Sequence, residues 1–181
     1  DFSDADNTAT AIENEIKNKM KRRMYINMEE VVVDNPTIEE LGELKLVGYR
    51  VVCEGHQYIN EIPKAANRLK ERMKVIDQII DPSVQYGAFV IDNYSDDEDG
   101  YWICVQVKEY NRIPKDMVTL SVPSQQYAVK KHIGANTEIR DVYSSLHSWI
   151  EANGYVRQLD KWHLERYLNW DDPGNLTIEL M

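Results

Sequence analysis

The sequence predicts an α+β fold, an antiparallel sheet carrying helices on one face. Three observations support this. Short stretches rich in Val, Ile, Leu and aromatic residues alternate with period two and are separated by polar turns. Two longer segments repeat apolar residues at three- and four-residue spacing, as amphipathic helices do. The order strand–helix–hairpin also occurs twice. That predicts a tandem β-α-β-β arrangement with pseudo-twofold symmetry and a ligand groove between the repeats.

Residues 1–35 read as an N-terminal amphipathic helix and linker. Ile12, Ile16, Met20 and Met24 recur at i+4 spacing along an otherwise polar segment. Such a narrow stripe suits packing on the domain, a homodimer contact, or a connector from an upstream DNA-binding domain. Residues 36–181 form the main domain, with repeat one over about 36–112 and repeat two over about 113–181.

Repeat one opens with a strand over Leu44–Cys53. A helix follows over Ile62–Ile79, with Ile62, Ala65, Ala66, Leu69, Met73, Ile76 and Ile79 on one face. Pro63 is expected in its first turn, where a missing N–H is tolerated, and Asp81-Pro82 ends it. Strands over Tyr86–Ile91 and Tyr101–Tyr110 then form a hairpin around the acidic segment 93–100. In the second of these strands Ile103, Val105 and Val107 face the helices, and Trp102, Cys104 and Gln106 face away. Trp102 either packs against the other repeat or floors a ligand groove.

Repeat two begins with a strand over Gln126–Ile133. Thr137 is the expected cap of a helix whose face carries Ile139, Val142, Tyr143, Leu146, Trp149 and Ile150, and Gly154 stops it. Extended pieces over Trp162–Leu168 and Leu176–Met181 flank a turn at Asp171–Gly174.

Composition excludes several function classes. Of 181 residues, 21 are Lys or Arg and 31 Asp or Glu, a net charge of −10, which argues against a phosphate-neutralising face. No apolar run approaches the roughly 20 residues that span a bilayer, and no secretory segment is visible, so a soluble cytoplasmic protein is expected. Cys53 and Cys104, both in apolar strand-like stretches, read as buried free thiols. His56, His132, His147 and His163 never fall at metal-binding spacing, and Cys53 with His56 makes only a lone C-x-x-H. Glycine loops for nucleotides and a nucleophile elbow are absent. Neither a metal nor a cofactor is predicted.

Aromatic usage is skewed, with 11 Tyr and 4 Trp against 2 Phe. Rings bearing a polar handle suit a ligand pocket as well as a core. The segment KWHLERYLNW sets Glu165 among Trp162, Leu164, Tyr167, Leu168 and Trp170. A carboxylate in such surroundings loses hydration and must be paired or held at a wet edge. It reads either as a surface group bonded to Arg166 or Lys161, or as an anionic anchor for a cationic aromatic ligand. Desolvation would also suit it to general acid or base work.

Several blocks together resemble a known family. They are ELGELKLVGYRV (40–51), QYGAF (85–89), VTLSVPSQQYAVKKHIG (118–134), SWIEANGY (148–155), LERY (164–167) and LTIELM (176–181). In order and spacing they are similar to the GyrI-like small-molecule-binding domain, the effector-binding domain of MerR- and AraC-type multidrug transcription regulators. The resemblance covers roughly residues 36–181. It implies a tandem duplication whose central groove, lined by aromatics, holds hydrophobic and often cationic ligands, with Glu165 as the pocket glutamate.

On that resemblance the site comprises Glu165 as charged anchor, with Trp102, Tyr86, Tyr143, Trp149 and Tyr167 as aromatic lining. For Tyr143 and Trp149 a structural role on the helix face is the rival reading. The resemblance also implies two kinds of activity, drug sensing or sequestration and hydrolysis of cyclopropanoid genotoxins with Glu165 orienting water. A third reading, from the net charge alone, is a protein-interaction module that mimics an acidic surface.

Overall fold

The computed structural model describes residues 35–181. The helix expected before residue 35 lies outside the described residues. Eight strands run in chain order as β1 (Thr37–Leu41), β2 (Leu44–Val51), β3 (Gln85–Phe89), β4 (Tyr101–Gln106), β5 (Val118–Val122), β6 (Gln125–Gly134), β7 (His163–Asn169) and β8 (Leu176–Leu180). Helix α1 (Tyr58–Arg72) connects β2 to β3, and α2 (Ile139–Ala152) connects β6 to β7. The strands form one sheet in the order β1-β6-β8-β7-β3-β4-β2-β5, with every neighbouring pair antiparallel. The fold is therefore α+β with an antiparallel sheet.

Strand orders β3-β4-β2 and β7-β8-β6 correspond element by element, and β3 pairs with β7 where the two sets meet. The remaining strands bind them together. Leu41 lies opposite Gln125 and Leu44 opposite Val122, so β1–β2 and β5–β6 keep a single register across Gly42-Glu43 and Pro123-Ser124. They form one long ribbon, one end lying along β8 and the other along β4.

Period-two alternation sorts the side chains of the sheet. Val47, Tyr49, Ile103 and Val105 point to one face, where Ala66 and Leu69 of α1 cover them. Ile178 and Leu180 point the same way and are covered by Leu146 and Ile150 of α2. Both helices thus lie on one face. The opposite face packs on itself through Leu46, Ala88, Trp102, Leu120, Tyr127 and Leu164 among others. Burial of these two layers supplies the apolar stabilisation, roughly 1.5–3 kcal/mol for each fully buried large side chain.

Several local expectations are corrected. α1 starts at Tyr58, after a 3₁₀ turn at Gly55–Gln57, so Pro63 lies in the helix interior rather than its first turn. There its ring removes one i→i−4 hydrogen bond. The helix ends at Arg72, and Met73–Val75 is a 3₁₀ turn. Ile76 and Ile79 keep the apolar spacing, but the chain there joins the end of β4: Ile79 bridges Val107, and the Ile80 amide donates to the Gln106 carbonyl. Sheet pairing outcompetes the helical period.

Thr137 sits inside the 3₁₀ turn Asn136–Glu138, and Ala135 is the residue that caps it, its amide donating to Glu138 Oε2. Gly154 ends α2 at φ 76°, which lets the Tyr155 amide return to the Ile150 carbonyl. Cys104 is buried, whereas Cys53 is only half-buried; both are free. Strands β1 and β5 complete the sheet, although no element was expected over Thr37–Leu41 or Val118–Val122. Among the described residues, no helix is long and apolar enough to cross a membrane.

Candidate functional site

β7 alternates in the same way as its neighbours. Leu164 and Arg166 face away from the helices, and Glu165 and Tyr167 face toward them. Arg166 is ion-paired with Glu179 and lies 3.6 Å from Glu39, on the far side of the sheet from Glu165. The reading of Glu165 as a surface group held by Arg166 therefore fails, because the strand pleat points the two side chains apart. Glu165 is 8% exposed.

Three phenols hold its carboxylate. Tyr101 donates to Oε2 at 2.5 Å, Tyr167 to Oε2 at 2.8 Å, and Tyr143 to Oε1 at 2.7 Å. The hydroxyls of Tyr101 and Tyr167 are also 3.1 Å apart. Each ring arrives from a different element: Tyr101 from β4, Tyr143 from α2, and Tyr167 from β7 itself. Tyr101 must cross β3 to reach β7, and it does so over Gly87, which pairs with Glu165. Burial, followed by the negative charge of Glu165, raises the pKa of all three phenols well above the usual tyrosine range. They remain protonated donors, and a carboxylate acceptor with three donors is well satisfied.

The neighbouring positions on β7 and β3 extend this face. His163 stacks on Phe89 with ring centroids 5.5 Å apart, and Phe89 stacks on Tyr101 at 5.9 Å. Burial, with help from the charge of Arg157, lowers the His163 pKa to about 4 and keeps the ring neutral. Beside it lies a cavity of about 630 Å³ between α2, β6 and the 155–163 segment. Tyr143, His147, His163, Tyr155, Trp162 and Met181 contribute to its wall. Glu98, Asp160, Arg157 and Lys161 add two charges of each sign. Tyr143 belongs both to this wall and to the Glu165 cluster, so it separates the cavity from the carboxylate.

The expected site residues divide between the two faces. Glu165, Tyr143 and Tyr167 come together. Trp149 lies on the same side, half-buried on the Ile178–Leu180 cluster and stacked on Tyr155 at 6.1 Å. Trp102 and Tyr86 lie across the sheet. Trp102 is buried edge-on against Trp162 at 6.2 Å, with Arg50 over its ring. Tyr86 is buried in the same cluster, its hydroxyl 3.5 Å from Gln106 Oε1. A single groove holding both Trp102 and Glu165 is not present, because the sheet separates them. Tyr101 was missed, although the alternation that sends Ile103 toward the helices sends Tyr101 there too. Among the described residues, no group of three or more His, Cys, Asp or Glu side chains is placed to hold a metal.

No curated protein sequence matches the chain. Solved structures do match in fold. The EcmrR C-terminal domain is similar at TM-score 0.59 and 20% identity over 80% of this chain and 93% of that one. SAV2435 bound to tetraphenylphosphonium is similar at TM-score 0.60 and 14% identity over 80% and 90%. EcmrR in its complex with DNA is similar at TM-score 0.59 and 18% identity over 93% of this chain, which spans 66% of that one. Residues 34–181 match the GyrI-like small molecule binding domain, and the chain belongs to that family.

Proposed function

We propose that residues 35–181 bind hydrophobic aromatic cations at Glu165, as a drug-sensing or sequestering module of a transcription-regulator-like cytoplasmic protein. One observation carries this reading: a buried carboxylate is held by three neutral phenols beside a cavity of about 630 Å³. The phenols satisfy the hydrogen bonding of Glu165 but leave its charge unmatched. In a site of low effective dielectric that charge favours a cation, and the faces of the surrounding tyrosines add cation–π attraction. The cavity accommodates the apolar body of the ligand, and displacement of Tyr143, which stands between the cavity and the carboxylate, brings the two together. Tetraphenylphosphonium, held by the structural neighbour SAV2435, is a ligand of this chemical class. The fold shared with EcmrR, which forms a DNA complex, supports the regulator setting.

The hydrolase alternative requires Glu165 to orient a water molecule. Three phenols already engage both of its oxygens. The test is a fluorescence titration of wild type and Glu165→Gln with tetraphenylphosphonium, with Trp162 in the cavity wall as reporter. Saturable quenching that weakens at least tenfold in the variant is expected on this reading. Equal affinity in the two proteins would refute it. Mass spectrometry after incubation with a cyclopropane alkylator addresses hydrolysis, and the binding reading expects the compound to be recovered intact.

A further inference from the structure

The geometry points to a second binding site, at the edge of the sheet remote from β1. There the open end of β2 beside α1 accepts an extended peptide segment in which basic and small apolar residues alternate. β5 is the last strand and pairs with β2 only from Leu44 to Gly48, whereas β2 continues to Val51. The Val107 amide donates to the Lys45 carbonyl, so Lys45, Val47, Tyr49 and Val51 turn their backbone groups toward β4. Leu44, Leu46, Gly48 and Arg50 turn theirs the other way. β5 takes up the first three of these, and among the described residues the amide and carbonyl of Arg50 have no backbone partner.

The ladder stops because α1 competes for the chain before β5. In continued register Asp116 would lie opposite Arg50. Instead its carboxylate is held by Arg68 at 2.9 Å and Arg72 at 3.2 Å, and accepts from the Tyr49 hydroxyl at 3.2 Å. A groove of about 500 Å³ remains between residues 49–53 and Glu61, Lys64, Ala65 and Arg68 of α1. Ala65 is the small side chain in that helix wall. A strand added along Arg50 would send every second side chain into the groove over Ala65, and backbone pairing would supply affinity for any extended segment.

Its other side chains would point to the opposite face, which is acidic at this end of the sheet. The Arg50 guanidinium donates to the carbonyl of Asp99 at 2.8 Å and to that of Asp96, which pins the run Asp96-Asp97-Glu98-Asp99 beside the strand. These bonds go to backbone oxygens, and among the described residues none of the four carboxylates is ion-paired. Charge complementarity therefore selects Lys or Arg on that side of the partner and small apolar residues on the groove side.

The experiment titrates the full chain into a dye-labelled peptide, Lys-Val-Lys-Val-Lys with blocked termini, and reads fluorescence anisotropy. Two further forms are N-methylated, one at the valines and one at the lysines. Alternate amides of a strand face opposite edges, so one form should bind about tenfold more weakly and the other as the parent does. Ala65→Leu fills the groove and should weaken the parent peptide by about tenfold, while Ala65→Ser leaves it open and should not. Asp96→Asn with Asp97→Asn should lower affinity and flatten its dependence on salt. Wild type that shows no saturable binding overturns the proposal, as do methylated forms that bind equally or an Ala65→Leu variant that binds as wild type. If Ala65→Leu does not fold, the methylated pair decides on wild type alone. A wild-type dimer in sedimentation that dissociates in Ala65→Leu would assign the edge to a second copy and overturn the peptide reading.

Discussion

A Cβ built on Gly87 would lie 1.8 Å from the hydroxyl oxygen of Tyr101. The phenol occupies the place where any other residue would project its side chain, and it thereby reaches from β4 across β3 to the Glu165 carboxylate on β7. Glycine at this position is a steric requirement of the cluster. Gly87→Ala should therefore push Tyr101 off Glu165 and destabilise the fold by about 1–3 kcal/mol, the usual cost of overpacking. Urea denaturation measures this directly. A variant as stable as wild type would mean that Tyr101 has another resting place.

Removal of single hydroxyls should grade the cluster. Tyr101→Phe leaves Oε2 with one donor fewer in a buried setting and should cost about 2 kcal/mol. Tyr143→Phe should cost less, because this residue lines the cavity, from which water can enter to replace its hydroxyl. Equal losses would indicate that the cavity is sealed from Glu165.

Acid should weaken the protein before its carboxylates titrate. His163 has a pKa of about 4 when folded against an ordinary 6.5, so the unfolded chain takes up the proton first. Its contribution is complete above pH 6.5, falls as pH drops toward 4, and reaches at most about 3 kcal/mol. His163→Phe should flatten the stability profile across that window. An unchanged profile in the variant would assign the acid sensitivity to other groups.

Alkali acts with the opposite sign. Tyr101, Tyr143 and Tyr167 have raised pKa values when folded, so their contribution is complete below the usual tyrosine pKa near 10 and is lost as pH rises beyond it. In an ultraviolet titration these three phenols should ionise only as the fold opens. Eleven tyrosines ionising together without unfolding would contradict the burial of the cluster.

Trp102→Ala separates the two faces of the sheet. Trp102 is packed on Trp162 in the layer away from the helices, so its truncation should cost about 3–5 kcal/mol. Affinity for tetraphenylphosphonium in the remaining folded protein should fall less than in Glu165→Gln, since Trp102 reaches the cavity only through Trp162. Lost binding at full stability would relocate the ligand to Trp102.

Much of the fold was legible because its periods are local. The alternation in YWICVQ and the three–four spacing of Leu69, Ala66 and Ile62 each declare a buried face within a few residues. β1 was illegible for the opposite reason. Thr37–Leu41 is largely polar with no buried residue, and becomes a strand only because β6, more than eighty residues away, offers it a ladder. Val118–Val122 does alternate, which was the available signal for β5. At the site, Glu165 stood out by its aromatic neighbours in sequence. Tyr101 did not, since its partnership depends on the pairing of β4, β3 and β7 and on the gap above Gly87.

The long ribbon has a consequence for how the chain can be divided. β1 precedes the β2-α1-β3-β4 set but pairs with β6, and β5 follows that set and pairs with β2. Each half of the sheet therefore has an edge strand that belongs, by sequence, to the other. Cleaving the backbone between Gln106 and Val118 should yield two pieces, neither able to finish its sheet alone, yet able to assemble when mixed. The native state forms only after β1 has met β6, more than eighty residues later, which makes folding slow for a chain of this length and unfolding a single cooperative event.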